Sequence, residues 1–242
     1  MYNSFGQKRT GLPDRVGLLG GTFNPIHLGH LRAAHEVQTA FGLDKIYIIP
    51  SALPPHKEPR DIADAQDRLQ MCCLAVENYP DLRNTVSVSN IELEHSSGPS
   101  YTIDTVNRFN SGLPENIELF FIMGLDTFLE IDSWKDYKKL FKAIRFIIAA
   151  RPGSLSHFEK RPLHEIIKDY LDSEVSEGYQ HNASKSCFMH AEKYPVYFFE
   201  GNPLDISSTQ IRELVRQGKS IQSLVPEKVR DYIITKGLFN DK

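Results

Sequence analysis

The stretch Val16-Gly17-Leu18-Leu19-Gly20-Gly21-Thr22-Phe23-Asn24-Pro25-Ile26-His27-Leu28-Gly29-His30 constrains the fold more than any other part of the chain. Val16 to Leu19 is an apolar run of strand length. Gly20 and Gly21 permit a tight turn with exposed backbone. Beyond Pro25 the apolar positions recur at helical spacing through Leu31, Ala34, Val37 and Phe41, and Gly42 stands where a C-terminal cap belongs. Strand, glycine turn and helix together bring His27 and His30 to the helix start. Backbone N–H groups and the positive end of the helix dipole gather there, and two imidazoles add donors, or charge once protonated. The first expectation is a phosphate-handling site.

The remaining chain repeats the alternation. Strands are expected at Lys45 to Ile49, Val86 to Ile91, Ile117 to Met123, Arg145 to Ala150 and Val196 to Glu200. Helices are expected from about Asp67 to Asn78, with Leu69, Cys72, Cys73 and Val76 on the apolar side, and from a Ser100 cap through Phe109. Two more close the chain, one opened by Ser207-Ser208-Thr209 and stopped near Gly218, the other running from Glu227 to Lys236. The strands are apolar throughout rather than alternating, so they predict a parallel sheet covered on both faces. The fold class is α/β, a doubly wound, mostly parallel, Rossmann-like sheet with C-terminal helices. With 242 residues there is room for one substantial domain. Residues 1–15 read as a flexible N-terminal extension and 16–242 as that domain. Within it, 154–195 reads as a helix near Leu163 to Leu171 followed by a polar surface excursion.

The unusual residues cluster. Gly20 to His30, His56-Lys57, Gly124 to Asp126, Arg151 and Ser207 to Arg212 all follow directly on the C-terminal end of an expected strand. Open α/β sheets bind ligands at that edge. His27 and His30 could instead be a metal pair, but no third ligand of suitable type is near in sequence. His56-Lys57 after two prolines has solvated loop as its plain reading, with two donors held toward one anion as the alternative. Three hydroxyls at 207–209 exceed what capping requires, and Arg212 one turn on can take phosphate oxygens in a fork. Trp134, the single tryptophan, is either a core anchor or a flat face for a cationic ring. A net charge of −3 gives no sign of nucleic acid or an anionic membrane as partner. Three scattered cysteines and no apolar leader make the cytoplasm the expected compartment.

These residues resemble those of the nucleotidylyltransferases, whose His-x-Gly-His signature stands here as His27-Leu28-Gly29-His30. The chain is most similar to the bacterial nicotinate-nucleotide adenylyltransferase family. Gly20 to Pro25, Pro54-Pro55-His56-Lys57, Ser100-Tyr101-Thr102, Gly124-Leu125-Asp126, Trp134, Arg151-Pro152-Gly153 and Ile206 to Arg212 follow its motifs in its order, between Val16 and Phe239. The resemblance implies transfer of the adenylyl group of ATP to nicotinate mononucleotide. It implies His27, His30 and Arg212 as catalytic groups, and Gly20, Gly21, Thr22, Phe23, Gly124, Asp126, Arg151, Ile206, Ser207 and Ser208 as ATP contacts. Asn24, His56, Lys57, Tyr101, Thr102 and Trp134 would meet the mononucleotide. Mg2+ would arrive with ATP, with no resident metal, and a homo-oligomer is left open. The rivals are a sibling enzyme using nicotinamide mononucleotide or another phosphorylated acceptor, and a non-catalytic nucleotide-binding module.

Overall fold

The computed structural model describes residues 14–53, 62–94, 98–114, 116–150, 161–202 and 204–240. Among them, eight strands form one sheet: β1 (Arg15–Gly21), β2 (Lys45–Pro50), β3 (Val86–Val88), β4 (Glu118–Gly124), β5 (Arg145–Ala150), β6 (Gln180–Asn182), β7 (Cys187–Met189) and β8 (Val196–Glu200). Their order is β3-β2-β1-β4-β5-β8-β7-β6. The pairs from β3 across to β8 are parallel, whereas β8–β7 and β7–β6 are antiparallel. Strand order reverses between β1 and β4, which makes their C-terminal ends the switch point of the sheet.

Successive residues of the central strands feed two cores. Val16, Leu18, Phe121, Phe146 and Ile148 pack on one face, and Leu19, Phe120, Ile122 and Ile147 on the other. The first face is covered by α4 (Thr102–Gly112), α5 (Leu125–Phe128), α6 (Tyr137–Ala143) and α7 (Leu163–Tyr170). The second is covered by α1 (Leu28–Phe41), α2 (Ala65–Glu77), α8 (Ser208–Arg216) and α9 (Glu227–Lys236). A strand buried on both faces has no polar side to show, hence the unbroken apolar runs in the sequence. No helix among the described residues is long and apolar enough to cross a membrane.

Four expectations change in detail. The first strand starts at Arg15, inside the stretch read as an extension, because Arg15 pairs with Glu118 across the sheet. The strand expected to reach Ile91 ends at Val88. The Asn90 carbonyl accepts the amides of Leu93 and Glu94, and the chain turns into α3 (Ile91–Glu94). The stretch expected as a polar excursion supplies β6 and β7, which extend the sheet as a hairpin turning through Ser186 at φ 46°. The apolar stripe of α2 runs Arg68, Met71, Cys72, Ala75 and Val76, so its head is a buried arginine, while Leu69 and Cys73 are half-buried.

Candidate active site

β1 delivers the chain to the rim at the switch point, and the next nine residues make the centre of the site. Space is tight at Gly21: a Cβ there would lie 3.0 Å from the ring of Phe23, which would have to shift. Phe23 itself takes the left-handed conformation at φ 48° and turns its ring inward, 5.0 Å and edge-on from His30. The peptide between Asn24 and Pro25 is cis. His27 then caps α1 with extended backbone, and the residue is only 2% exposed.

The two imidazoles stack, with centroids 3.7 Å apart and planes inclined by 28°. Gly29 makes this possible, since a Cβ at that position would sit 3.0 Å from His27 Nδ1. The His27 amide donates to His30 Nδ1 at 3.3 Å. An acceptor Nδ1 means that the proton of the neutral His30 ring is on Nε2, which is thereby the donor offered to a ligand.

The C-terminal helices close on the same turn. Arg212 Nη1 donates to the Asn24 carbonyl at 3.0 Å and Nη2 to Thr209 Oγ1 at 3.3 Å. Ser208 Oγ donates to the Pro25 carbonyl at 2.9 Å. Ser207 accepts from the Gln210 amide at 3.1 Å, so it is the helix cap that its position suggested. Residues 24, 27, 30, 208 and 212 are therefore one cluster, built from both ends of the chain. Ile206 is buried in the core, so only its main chain can face a ligand.

Beside the imidazoles a cavity of about 110 Å³ opens along α1. Gly29, His30, Ala33 and Glu36 form one wall, Leu19, Ile122, Met123 and Gly124 the floor, and Ala149, Ala150, Phe199 and Gly201 the far side. Glu36 fastens that far side: Oε2 accepts the Asn202 amide at 3.0 Å and Oε1 takes Arg32 Nε at 2.6 Å. Gly124 caps α5, and Asp126 is exposed in the first turn of that helix.

Of the residues assigned to the acceptor, Tyr101, Thr102 and Trp134 lie toward the other face of the sheet. Tyr101 and Trp134 are both partly buried against the first core. Trp134 meets Phe121 edge-on at 6.0 Å, and its neighbour Lys135 stands 4.4 Å over the Tyr101 ring. Trp134 is thus half anchor and half open surface. Thr102 is half-buried in the first turn of α4. Ser100 does not cap α4, whose N-cap is Tyr101. Its hydroxyl instead accepts the Ala52 amide at 2.9 Å, joining the segment after β2 to the start of α4. Asn24 is 4% exposed and its carboxamide oxygen already accepts from the Ala63 amide at 3.0 Å, which makes it a tie within the protein. His56, Lys57 and Arg151 lie outside the described residues.

Three residues that the sequence reading passed over matter here. Glu36 lines the cavity; Arg68 and Glu92 tie together the turn after β1, the chain leaving β2 and α4. Arg68 could have been found by its place at the head of an apolar stripe. Glu36 and Glu92 carry no comparable signal, for acidic residues on helices ordinarily face water.

The match to known proteins agrees with this geometry. Residues 18–214 match the family model described as Cytidylyltransferase-like. A relative named "Probable nicotinate-nucleotide adenylyltransferase" from Desulfatibacillum aliphaticivorans is 44% identical over 93% of this chain and 99% of its own. One of the same name from Geobacter metallireducens is 38% identical over 93% of this chain and 98% of its own. The chain belongs to the nicotinate-nucleotide adenylyltransferase family. As a member it is a nucleotidyltransferase. The fold is also that of the Plasmodium falciparum nicotinic acid mononucleotide adenylyltransferase complexed with NaAD, at TM-score 0.70 and 19% identity, covering 93% of this chain and 97% of that one. The complex of that protein with APC gives a TM-score of 0.68 at 18% identity, again over 93% of this chain and 97% of that one.

Proposed function

We propose that the chain transfers the adenylyl group of ATP to nicotinate mononucleotide, releasing pyrophosphate and forming nicotinate adenine dinucleotide, in the cytoplasm and for NAD synthesis. The observation that carries this reading is the convergence of His27, His30, Ser208 and Arg212 on one turn at the switch point, with a cavity beside it. The phosphate of the mononucleotide has a second pKa near 6, so its oxygen is already anionic at neutral pH and needs no strong base to attack the α-phosphorus. Bond formation to that phosphorus and departure of pyrophosphate then depend on alignment and on neutralising charge. His30, with Nε2 as donor, serves the α-phosphoryl oxygens, and His27 holds its ring parallel from beneath. Arg212 and the start of α8 face the β and γ phosphates. The cavity walled by Gly29, Ala33 and Gly201 takes the base, with Asp126 toward the ribose. Trp134 offers a ring face to the pyridinium, and the amides around Tyr101 and Thr102 meet its carboxylate; His56 and Lys57 hold the acceptor phosphate.

Among the described residues no group of three or more His, Cys, Asp or Glu is placed to hold an ion. Mg2+ would be carried in on the ATP oxygens. Bound there, Mg2+ neutralises charge on the triphosphate. The deciding experiment is pyrophosphate release by the purified chain with ATP alone, then with nicotinate mononucleotide, nicotinamide mononucleotide and phosphopantetheine in turn. Release with the nicotinate acceptor at the highest kcat/KM is expected. A preference for the amide would reassign the acceptor, and no release with any of them would leave a nucleotide-binding module.

A further inference from the structure

Arg68 is 1% exposed, and all three of its bonded nitrogens go to main-chain oxygens. Nε donates to the Ala63 carbonyl at 3.0 Å, Nη1 to Thr22 at 2.9 Å and Nη2 to Ala52 at 2.9 Å. Those carbonyls belong to three separate segments: the turn after β1, the chain leaving β2 and the approach to α2. The Ala52 peptide is held from its other side too. Its amide donates to Ser100 Oγ, and the half-buried Glu92 carboxylate of α3 takes Thr105 Oγ1 at 2.7 Å together with bonds from Ser100 and the Ala52 main chain. A continuous path of hydrogen bonds thus runs from Thr22 through Arg68, Ala52, Ser100 and Glu92 to α4. Burying two charged groups is a costly way to stabilise a fold, and apolar packing would serve better. One backbone bond already joins the turn after β1 to the chain leaving β2, Ser51 N–H to the Gly21 carbonyl at 2.9 Å, and one joins that chain to the start of α4, Ser100 N–H to the Leu53 carbonyl at 3.1 Å. An arginine fork and a carboxylate add further points that fix the relative placement of these loops.

We propose that Arg68 and Glu92 are positioning residues for the transfer step, setting the distance between the phosphate turn at 20–23 and the acceptor-side segments at 51–53 and 100–102. This rests on the assignment of Tyr101 and Thr102 to the acceptor. Neither residue touches the reactants; both act through the Ala52 and Thr22 peptides. In-line transfer between two separately bound phosphates is sensitive to displacements of an ångström or less.

The test is steady-state kinetics of the full chain with ATP and nicotinate mononucleotide, with thermal melting of the same samples. For Glu92→Gln, KM for the mononucleotide is expected to rise about tenfold while KM for ATP stays within about twofold, with no loss of Tm at neutral pH. Ser100→Ala should show the same split, and Ser100→Thr, which restores the hydroxyl, should largely reverse it. Arg68→Lys, which keeps charge but loses the fork, is expected to lower kcat by about tenfold. If Arg68→Lys does not fold, the Glu92 and Ser100 variants decide alone. Folded variants with both KM values unchanged, or with activity falling only in step with Tm, would overturn the proposal. Should the wild type prefer another pyridine mononucleotide, the acceptor assignment changes and the split is read on that molecule instead. A wild type inert toward every pyridine mononucleotide overturns both readings.

Discussion

The His30 ring is held on three sides before any ligand arrives: by the His27 amide at Nδ1, by the stacked His27 ring and by the edge of Phe23. A donor fixed in advance costs no reorganisation when charge develops on a phosphoryl oxygen. His30→Ala should therefore lower kcat by on the order of 10²-fold or more with little change in KM for the mononucleotide. Single-turnover kinetics checks this, and near-normal turnover in a folded variant would remove His30 from the chemistry. Trp134→Ala should act on binding instead. Its half-exposed ring predicts a KM for the mononucleotide raised by roughly tenfold, consistent with about 1.4 kcal/mol of ring–cation contact, while kcat holds. An unchanged KM would leave the residue as a partner of Phe121 alone. At this scale the sequence singled out the candidate ligand-facing residues, because glycine pairs, two imidazoles one turn apart and a lone tryptophan are hard to account for by packing. It marked Arg68 only by its place on an apolar stripe and concealed its three main-chain partners, and it gave no sign of Glu92, which meets the hydroxyls of Thr105 and Ser100 and the Ala52 main chain.

At the scale of elements, α8 does more than end a helical pattern. Ser207 caps it, Ser208 reaches the Pro25 carbonyl and Arg212 reaches Asn24. Ser208→Ala removes one hydrogen bond and should cost about 1 kcal/mol of stability, and, with the triphosphate at the turn it releases as proposed, it should raise KM for ATP more than KM for the mononucleotide. Chemical denaturation and initial rates on one preparation measure both effects. A stability loss with no change in KM would make the contact purely structural. The long apolar strands and capped helices were legible here, since burial on both faces leaves no polar period to confuse them. β6 and β7 were not. Each has three residues, and Gln180, His181 and Asn182 at a sheet edge carry the composition of a loop.

At the scale of the whole molecule, the buried charges couple stability to pH. Burial pushes the Glu92 carboxyl up, against the hydrogen bonds of Thr105, Ser100 and Ala52 and the positive charge of Arg108 on α4; Arg68 on α2 faces it as well. Arg68 is pushed down by burial. An acid whose pKa is raised by folding binds its proton more tightly in the native state. Its contribution is full below the ordinary value of 4.5 and is lost as pH rises through the raised one. Glu92→Gln should accordingly gain stability relative to wild type as pH rises above 4.5. Melting curves across that rise test it, and a constant difference would mean that Glu92 does not titrate differently in the folded chain.

The bonds from Ser208 to Pro25 and from Arg212 to Asn24 join positions 183 and 188 apart in sequence. A polypeptide still emerging from the ribosome can pair its central strands long before either bond exists. Competence to hold a nucleotide should thus appear late in synthesis, once the final two helices have left the exit tunnel. Fragments released early would then be inert toward ATP rather than partly active, which spares the cell a half-built catalyst that could squander the nucleotide.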